Sequence, residues 1–182
     1  MKTATALIPV AHGSESLETV TMVNVLRRAE IEVTLASIES ELVVSGTRGV
    51  RLHADKRLLD ALGHQYDLIA LPGGEKGAEA LNRHAPLIEM LQQQNDLRHW
   101  LAAICAAPAL TLAPHHLLDG RRATCFPAFK SRLPGYVDKP VVVDGHVVTS
   151  QGPGTAMAFA LILVELLAGP ARSKEVAAAL LA

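Results

Sequence analysis

The chain has 182 residues, 49% of them hydrophobic and 19% charged, which fits one domain, 1–182, with a well-buried core and excludes a disordered or coiled-coil chain. The formal net charge is −1 and the basic residues gather in nothing larger than pairs such as Arg27-Arg28 and Arg121-Arg122. That excludes an electrostatic footprint for nucleic acid and points to a small molecule or a protein as partner.

Thr3 to Val10 is an apolar run of strand length that stops at His12-Gly13-Ser14, before a helical pattern from about Glu15 to Ala29. Lys2 precedes this run, but Thr3 and Thr5 alternate through it, which suits a first strand better than a signal peptide. Ile31 to Ile38 alternates and is rich in β-branched residues, a second strand. Leu42 to Val44 and Val50 to His53 flank a Ser-Gly-Thr-Arg-Gly turn as a hairpin. Asp67 to Leu71 reads as a strand ending in Pro72-Gly73-Gly74, with helix over Ala78 to Leu81 and Pro86 to Gln94. Trp100 to Ile104 repeats the pattern and opens at Cys105 into a helix over Ala106 to Leu112. Val141 to Asp144 and His146 to Thr149 are joined by the hairpin dipeptide Asp144-Gly145. Thr155 to Leu167 and Lys174 to Leu181 read as closing helices.

Strands alternating with helices, several strands too uniformly apolar to have a wet face, predict an α/β fold: a doubly wound, mostly parallel sheet sandwiched by helices. Ligands in such folds gather beyond the carboxyl ends of the strands, so the loops after Val10, Leu71 and Ile104 are where a site is expected. The longest apolar runs, around Ala102 to Leu112 and Ala156 to Ala168, are broken by Pro108 or Glu165 and fall short of a membrane span. The two cysteines form no Cys-x-x-Cys and no disulfide framework, which suits a reducing cytoplasm.

Cys105 stands in Ala-Ile-Cys-Ala-Ala-Pro at a strand-to-helix junction. There a sulfur faces the unpaired N–H groups of a helix start, whose partial positive charge favours thiolate. Ala106 and Ala107 permit a sharp turn and Pro108 suits a first helical turn. Free cysteine is also a common core-filling residue, and composition does not separate the two roles.

The AICAAP around Cys105, the LPGG of Leu71 to Gly74, the ESLETV of Glu15 to Val20 and the TSQGPGTA of Thr149 to Ala156 together resemble the ThiJ/PfpI superfamily. Within it they are most similar to the branch of the Parkinsonism-associated deglycase and bacterial YajL. The resemblance runs over nearly the whole chain in matching order. It implies a flavodoxin-like fold, a nucleophilic Cys105, and Glu18 hydrogen-bonded to its sulfur. It also implies an oxyanion site made by the N–H groups of Gly74 and Ala106, and a homodimer with Arg28, Arg48 and His53 at or near the interface.

The residues support parts of this independently. Glu18 shares a helical stripe with Met22 and Val25, so its carboxyl is expected to be buried and its pKa raised. Gly73 and Gly74 let backbone approach a ligand, although a tight turn alone also explains them. The best-known member of the branch carries a histidine where Phe126 stands here, so no imidazole is supplied at that point, in which the chain resembles YajL instead. His12, beyond the first strand, is a candidate replacement or simply a loop histidine. Cys125 is either a resolving thiol or a packed one.

A peptidase is disfavoured because Ala106, not histidine, follows Cys105, and an amidotransferase because His146-Val147-Val148 lacks the His-x-Glu pair. Gly152-Pro153-Gly154 continues to Met157 rather than a third glycine, so nucleotide binding is rejected. His115-His116 alone makes a poor zinc site, and no metal or cofactor is expected. By resemblance the function is cofactor-free chemistry on reactive 2-oxoaldehydes such as methylglyoxal. That is a glutathione-independent glyoxalase, a deglycase of glycated protein or nucleotide, or both. The alternative is a redox-regulated chaperone or oxidative-stress sensor using the same cysteine.

Overall fold

A computed structural model describes residues 3–182; Lys2, considered above with the start of the chain, lies outside the described residues. The described residues form nine strands and five α-helices. They are β1 (Thr5–Val10), α1 (Ser16–Arg28), β2 (Glu32–Ser37), β3 (Val43–Ser45), β4 (Arg51–His53), β5 (Lys56–Arg57), β6 (Leu68–Leu71), α2 (Glu75–Arg83), α3 (Ala85–Asp96), β7 (Trp100–Ile104), β8 (Val141–Asp144), β9 (Val147–Ser150), α4 (Ala156–Ala168) and α5 (Pro170–Leu180). Seven strands form one sheet in the order β5-β2-β1-β6-β7-β9-β8. It is parallel throughout except for β8 at the edge. The expected doubly wound α/β architecture is the one observed.

The uniform apolarity of the strands follows from two cores. Successive side chains on a strand point to opposite faces. Ala6, Ile8 and Val10 of β1, Leu68 and Ala70 of β6, and Ala102 and Ile104 of β7 enter the core shared with α1 and α4. Leu7, Ile69, Leu71, Leu101 and Ala103 enter the opposite core, with Leu81 of α2 and Leu87 and Leu91 of α3. Partly buried Cys105 packs against both, because it stands where β7 runs out between them.

Four local features differ from the expectation. The pair Lys56 and Arg57 adds a short fifth strand, too brief to carry a periodic signal, against Ala36 and Ser37. Helix α2 starts at Glu75, earlier than the apolar pattern suggests, because Gly74 at φ 82° serves as its N-cap. At the β8–β9 turn Asp144 pairs with Val147, so Gly145 and His146 are the central residues and Gly145 takes the positive φ, 62°. After Cys105 the chain forms a five-residue π turn, Pro108–Leu112, and a 3₁₀ turn, Ala113–His115, rather than a regular helix. The β3–β4 hairpin forms as expected and stands apart as a two-stranded sheet. No helix among the described residues is long and apolar enough to cross a membrane.

Phe159 of α4 is fully buried and among the largest such side chains. Phe159→Ala is expected to lower the unfolding free energy by about 3–5 kcal/mol through lost burial and the cavity left behind, read as a drop in urea midpoint.

Candidate active site

The chain leaves β1 for β2 on one side and returns later as β6 on the other, so β1 and β6 flank the switch point of the sheet. Three segments leave the carboxyl edge there. After β1 comes α1 with Glu18; after β6 come Gly73 and Gly74; after β7 comes Cys105.

Cys105 sits at φ 63°, in the left-handed region that non-glycine residues rarely occupy. Two backbone hydrogen bonds hold it there. Its N–H donates to Ser150 O at 2.9 Å, extending the β7–β9 register by one residue, and its C=O accepts from Phe126 N–H at 2.8 Å. A strained turn of this kind lifts the side chain off the sheet edge toward the site.

Glu18 is fully buried on the inner face of α1, with Met22 and Val25 buried along the same stripe. Its Oε2 accepts from Gly73 N–H at 2.7 Å, while Oε1 is buried without a hydrogen-bond partner. Burial raises its pKa from 4.5 to about 7, opposed by the Gly73 N–H and by Cys105, and supported by the charge of Glu15. Burial likewise pushes the Cys105 thiol up to about 12, with the Glu18 carboxylate adding to it and the N–H groups of Gly74 and Ala106 opposing.

The donors at the junction, which favour thiolate, are therefore opposed by the site's own surroundings. Desolvation and the neighbouring carboxylate raise the thiol pKa, and the N–H groups of Gly74 and Ala106 lower it.

Gly73 cannot carry a side chain here: a Cβ would lie 2.5 Å from Cys105 Cβ and 2.8 Å from Glu18 Oε2. At Gly74 a Cβ would collide with the carbonyl oxygen of Gly13, on top of the positive φ. Cys105, Glu18, Gly73, Gly74 and Ala106 thus come together, and Phe126, exposed on one side, borders them.

The other residues singled out by sequence lie elsewhere. His12 is exposed, and its Nδ1 accepts the Ser45 N–H at 3.0 Å, a tie between β1 and the β3–β4 hairpin. Arg28 donates to Asn24 on its own helix at 2.8 Å and lines, with His53, a groove of about 540 Å³ between α1 and β4. Arg48, at φ 57°, borders a second hollow beside Leu17 and Val20. Cys125 is buried in the core with its thiol aimed at Phe126 O, 3.4 Å away, and its pKa raised to about 11 by burial.

Sequence reasoning missed Gly152 as a site residue. A Cβ there would stand 4.0 Å from Cys105 Sγ and 3.4 Å from Phe126 Cδ2. Thr155 holds its loop, donating to Gly152 O at 2.9 Å and accepting from Gly152 N–H at 3.1 Å. The signal was the Gly-Pro-Gly-Thr string, whose glycines read more naturally as a failed nucleotide loop.

The sequence profile of the DJ-1/PfpI family matches residues 4–166. The chain is 44% identical over 177 residues to Protein DJ-1 homolog B of Arabidopsis thaliana, covering 96% of this chain but 40% of that protein. The chain therefore spans less than half the length of that plant relative. It is 34% identical to Glutathione-independent glyoxalase DJR-1.2 of Caenorhabditis elegans, covering 96% and 93% of the two chains. The solved structure of oxidized Toxoplasma gondii DJ-1 superposes with a TM-score of 0.96 at 41% identity, covering 98% of each chain.

Two outcomes test the site. Because Glu18 titrates near 7 when folded and near 4.5 in an unfolded chain, the folded state binds more protons between those values, and stability falls as pH rises through that window. Glu18→Gln is expected to remove this slope, worth about 3 kcal/mol in full, and to lower the Cys105 pKa by removing the carboxylate charge. Denaturant titrations across pH and thiolate absorbance read the two effects. Gly73→Ala is expected to slow alkylation of Cys105 by iodoacetamide at least about tenfold, since its Cβ intrudes on both acids.

Proposed function

The chain belongs to the DJ-1/PfpI family, and on that footing we propose that it is a cofactor-free enzyme acting on reactive 2-oxoaldehydes through Cys105 and Glu18. The observation that carries this reading is a buried carboxyl, Glu18, brought beside the Cys105 side chain with its Oε2 held by the Gly73 N–H, where burial raises its pKa to about 7. A group that titrates near the working pH is suited both to take and to return a proton.

The chemistry begins with ionised Glu18. Cys105 Sγ attacks the aldehyde carbon and its proton passes to the Glu18 carboxylate, while the aldehyde oxygen becomes an alkoxide. The N–H groups of Gly74 and Ala106 are the donors available to that oxygen, and Glu18 returns the proton to it, completing a hemithioacetal and becoming ionised again. Glu18 then takes the proton from the former aldehyde carbon and delivers it to the adjacent carbon through an enediol, giving a thioester of the 2-hydroxy acid. Water hydrolyses the thioester and the thiol is regenerated, so methylglyoxal plus water yields lactate with no net redox change. Deglycation of protein or nucleotide would draw on the same hemithioacetal step.

A second copy of the chain is the proposed partner on the outer face of α1. Leu17 and Val20 there are 53% and 51% exposed, beside the grooves that Arg28, Arg48 and His53 border. Two free cysteines suit a cytoplasmic setting.

The test is lactate formation from methylglyoxal without glutathione. Cys105→Ala is expected to leave only the uncatalysed rate, and Glu18→Gln to lose about 10²-fold or more. Equal lactate yields from wild type and Cys105→Ala would overturn the reading.

A further inference from the structure

A main-chain N–H points only where its peptide plane points. In a planar trans peptide the C=O and the N–H face opposite ways, so the Gly73–Gly74 peptide turns its N–H toward the Cys105 sulfur only while its C=O faces away. Glycine on both sides makes this the peptide with the least steric resistance to turning over. A half-turn would present the Gly73 carbonyl oxygen, an acceptor, to the sulfur and to any oxyanion formed beside it.

A hydrogen bond from another segment opposes that half-turn. The N–H of Glu15 donates to Gly73 O at 2.9 Å. Glu15 is the N-cap of α1, and its main chain lies directly against the peptide it holds, since a Cβ on Gly74 would stand 2.8 Å from Glu15 N. The turn that carries Glu15 is itself fixed. Ser14 is fully buried, its Oγ accepts the Ala11 N–H at 3.0 Å and its C=O accepts the Thr47 N–H at 2.9 Å. Gly13 N–H donates to Ser45 O at 2.8 Å. On the other side of Gly73, its N–H donates to Glu18 Oε2 at 2.7 Å, so the start of α1 holds the peptides on both sides of Gly73.

We propose that Glu15 is a positioning residue for the reaction at Cys105, acting through its main-chain N–H: by holding Gly73 O it keeps the Gly74 N–H turned toward the oxygen that becomes an alkoxide. The proposal rests on the reading of Cys105 as an aldehyde nucleophile and names what keeps one donor of that site in place. The Glu15 side chain is not part of this contact; its Oε1 accepts the Leu17 N–H at 3.2 Å. Proline is the amino acid that deletes the N–H, and it adopts the φ of −71° found at Glu15.

The experiment measures kcat and KM for methylglyoxal in Glu15→Ala, which keeps the N–H, and in Glu15→Pro, which removes it, with folding checked by circular dichroism. Should Glu15→Pro not fold, its place is taken by the Glu15→Ala chain with an ester in place of the amide between positions 14 and 15, which deletes the same N–H without a ring. Relative to Glu15→Ala, loss of the N–H is expected to lower kcat about 10²-fold with KM changed less than about threefold, the signature of a donor that acts in the transition state. A kcat within about fivefold of Glu15→Ala, or a loss carried by KM, overturns the proposal.

Wild type that does not turn over methylglyoxal would fail the proposed activity rather than the positioning role. The role is then decided by the rate at which iodoacetamide alkylates Cys105 at a fixed pH below the thiol's pKa, followed by mass spectrometry, where the rate tracks the thiolate fraction. Turning the Gly74 N–H away from the sulfur is expected to slow alkylation at least about fivefold relative to Glu15→Ala, and equal rates overturn it.

Discussion

Two acids share one buried space at the carboxyl edge of the sheet, and the rest of the site is arranged around the protons they hold. Glu18 reaches it from α1 with Oε2 held by the Gly73 N–H, and Cys105 reaches it from β7 on a left-handed turn. Desolvation raises both pKa values, and the Glu18 carboxylate raises that of Cys105 further. Burial makes Glu18 responsive near neutrality, and its place beside the thiol gives a proton leaving sulfur somewhere to go.

The backbone around them limits what can stand there. Gly73 is bare because a Cβ would strike both acids, and the turn at Cys105 persists because β9 and the loop at Phe126 each hold one of its peptide groups. A left-handed non-glycine residue costs of the order of 1–3 kcal/mol and survives only where its surroundings over-determine it. Here two hydrogen bonds and packing against both cores provide that support.

The sheet supplies the rigidity. Residues alternate between two aliphatic cores along β1, β6 and β7, so all three strands are anchored on both faces and their ends cannot shift independently. Chemistry placed on the loops that leave those ends inherits that precision, while the outer face of α1 and the open side of Phe126 remain free for a second chain or a substrate.

Sequence by itself determined the α/β class, the main strands and helices, and the positions of Cys105, Glu18 and the paired glycines, because periodicity and strand-ending turns are local signals. It also indicated the direction in which Glu18 shifts, since the stripe with Met22 and Val25 forecasts burial. Only the tertiary structure decided the surroundings of the thiol. The helix-start argument sees the donors next to Cys105 in the chain but not the carboxylate that α1 brings in from outside that segment, nor the depth of burial. Gly152 stayed hidden for the same reason: its string has no local marker of the sulfur, and it meets Cys105 only because β9 pairs with β7. His12 showed the reverse, standing at the right strand end yet engaged by Ser45, because a loop position fixes a neighbourhood and not the direction in which a side chain points.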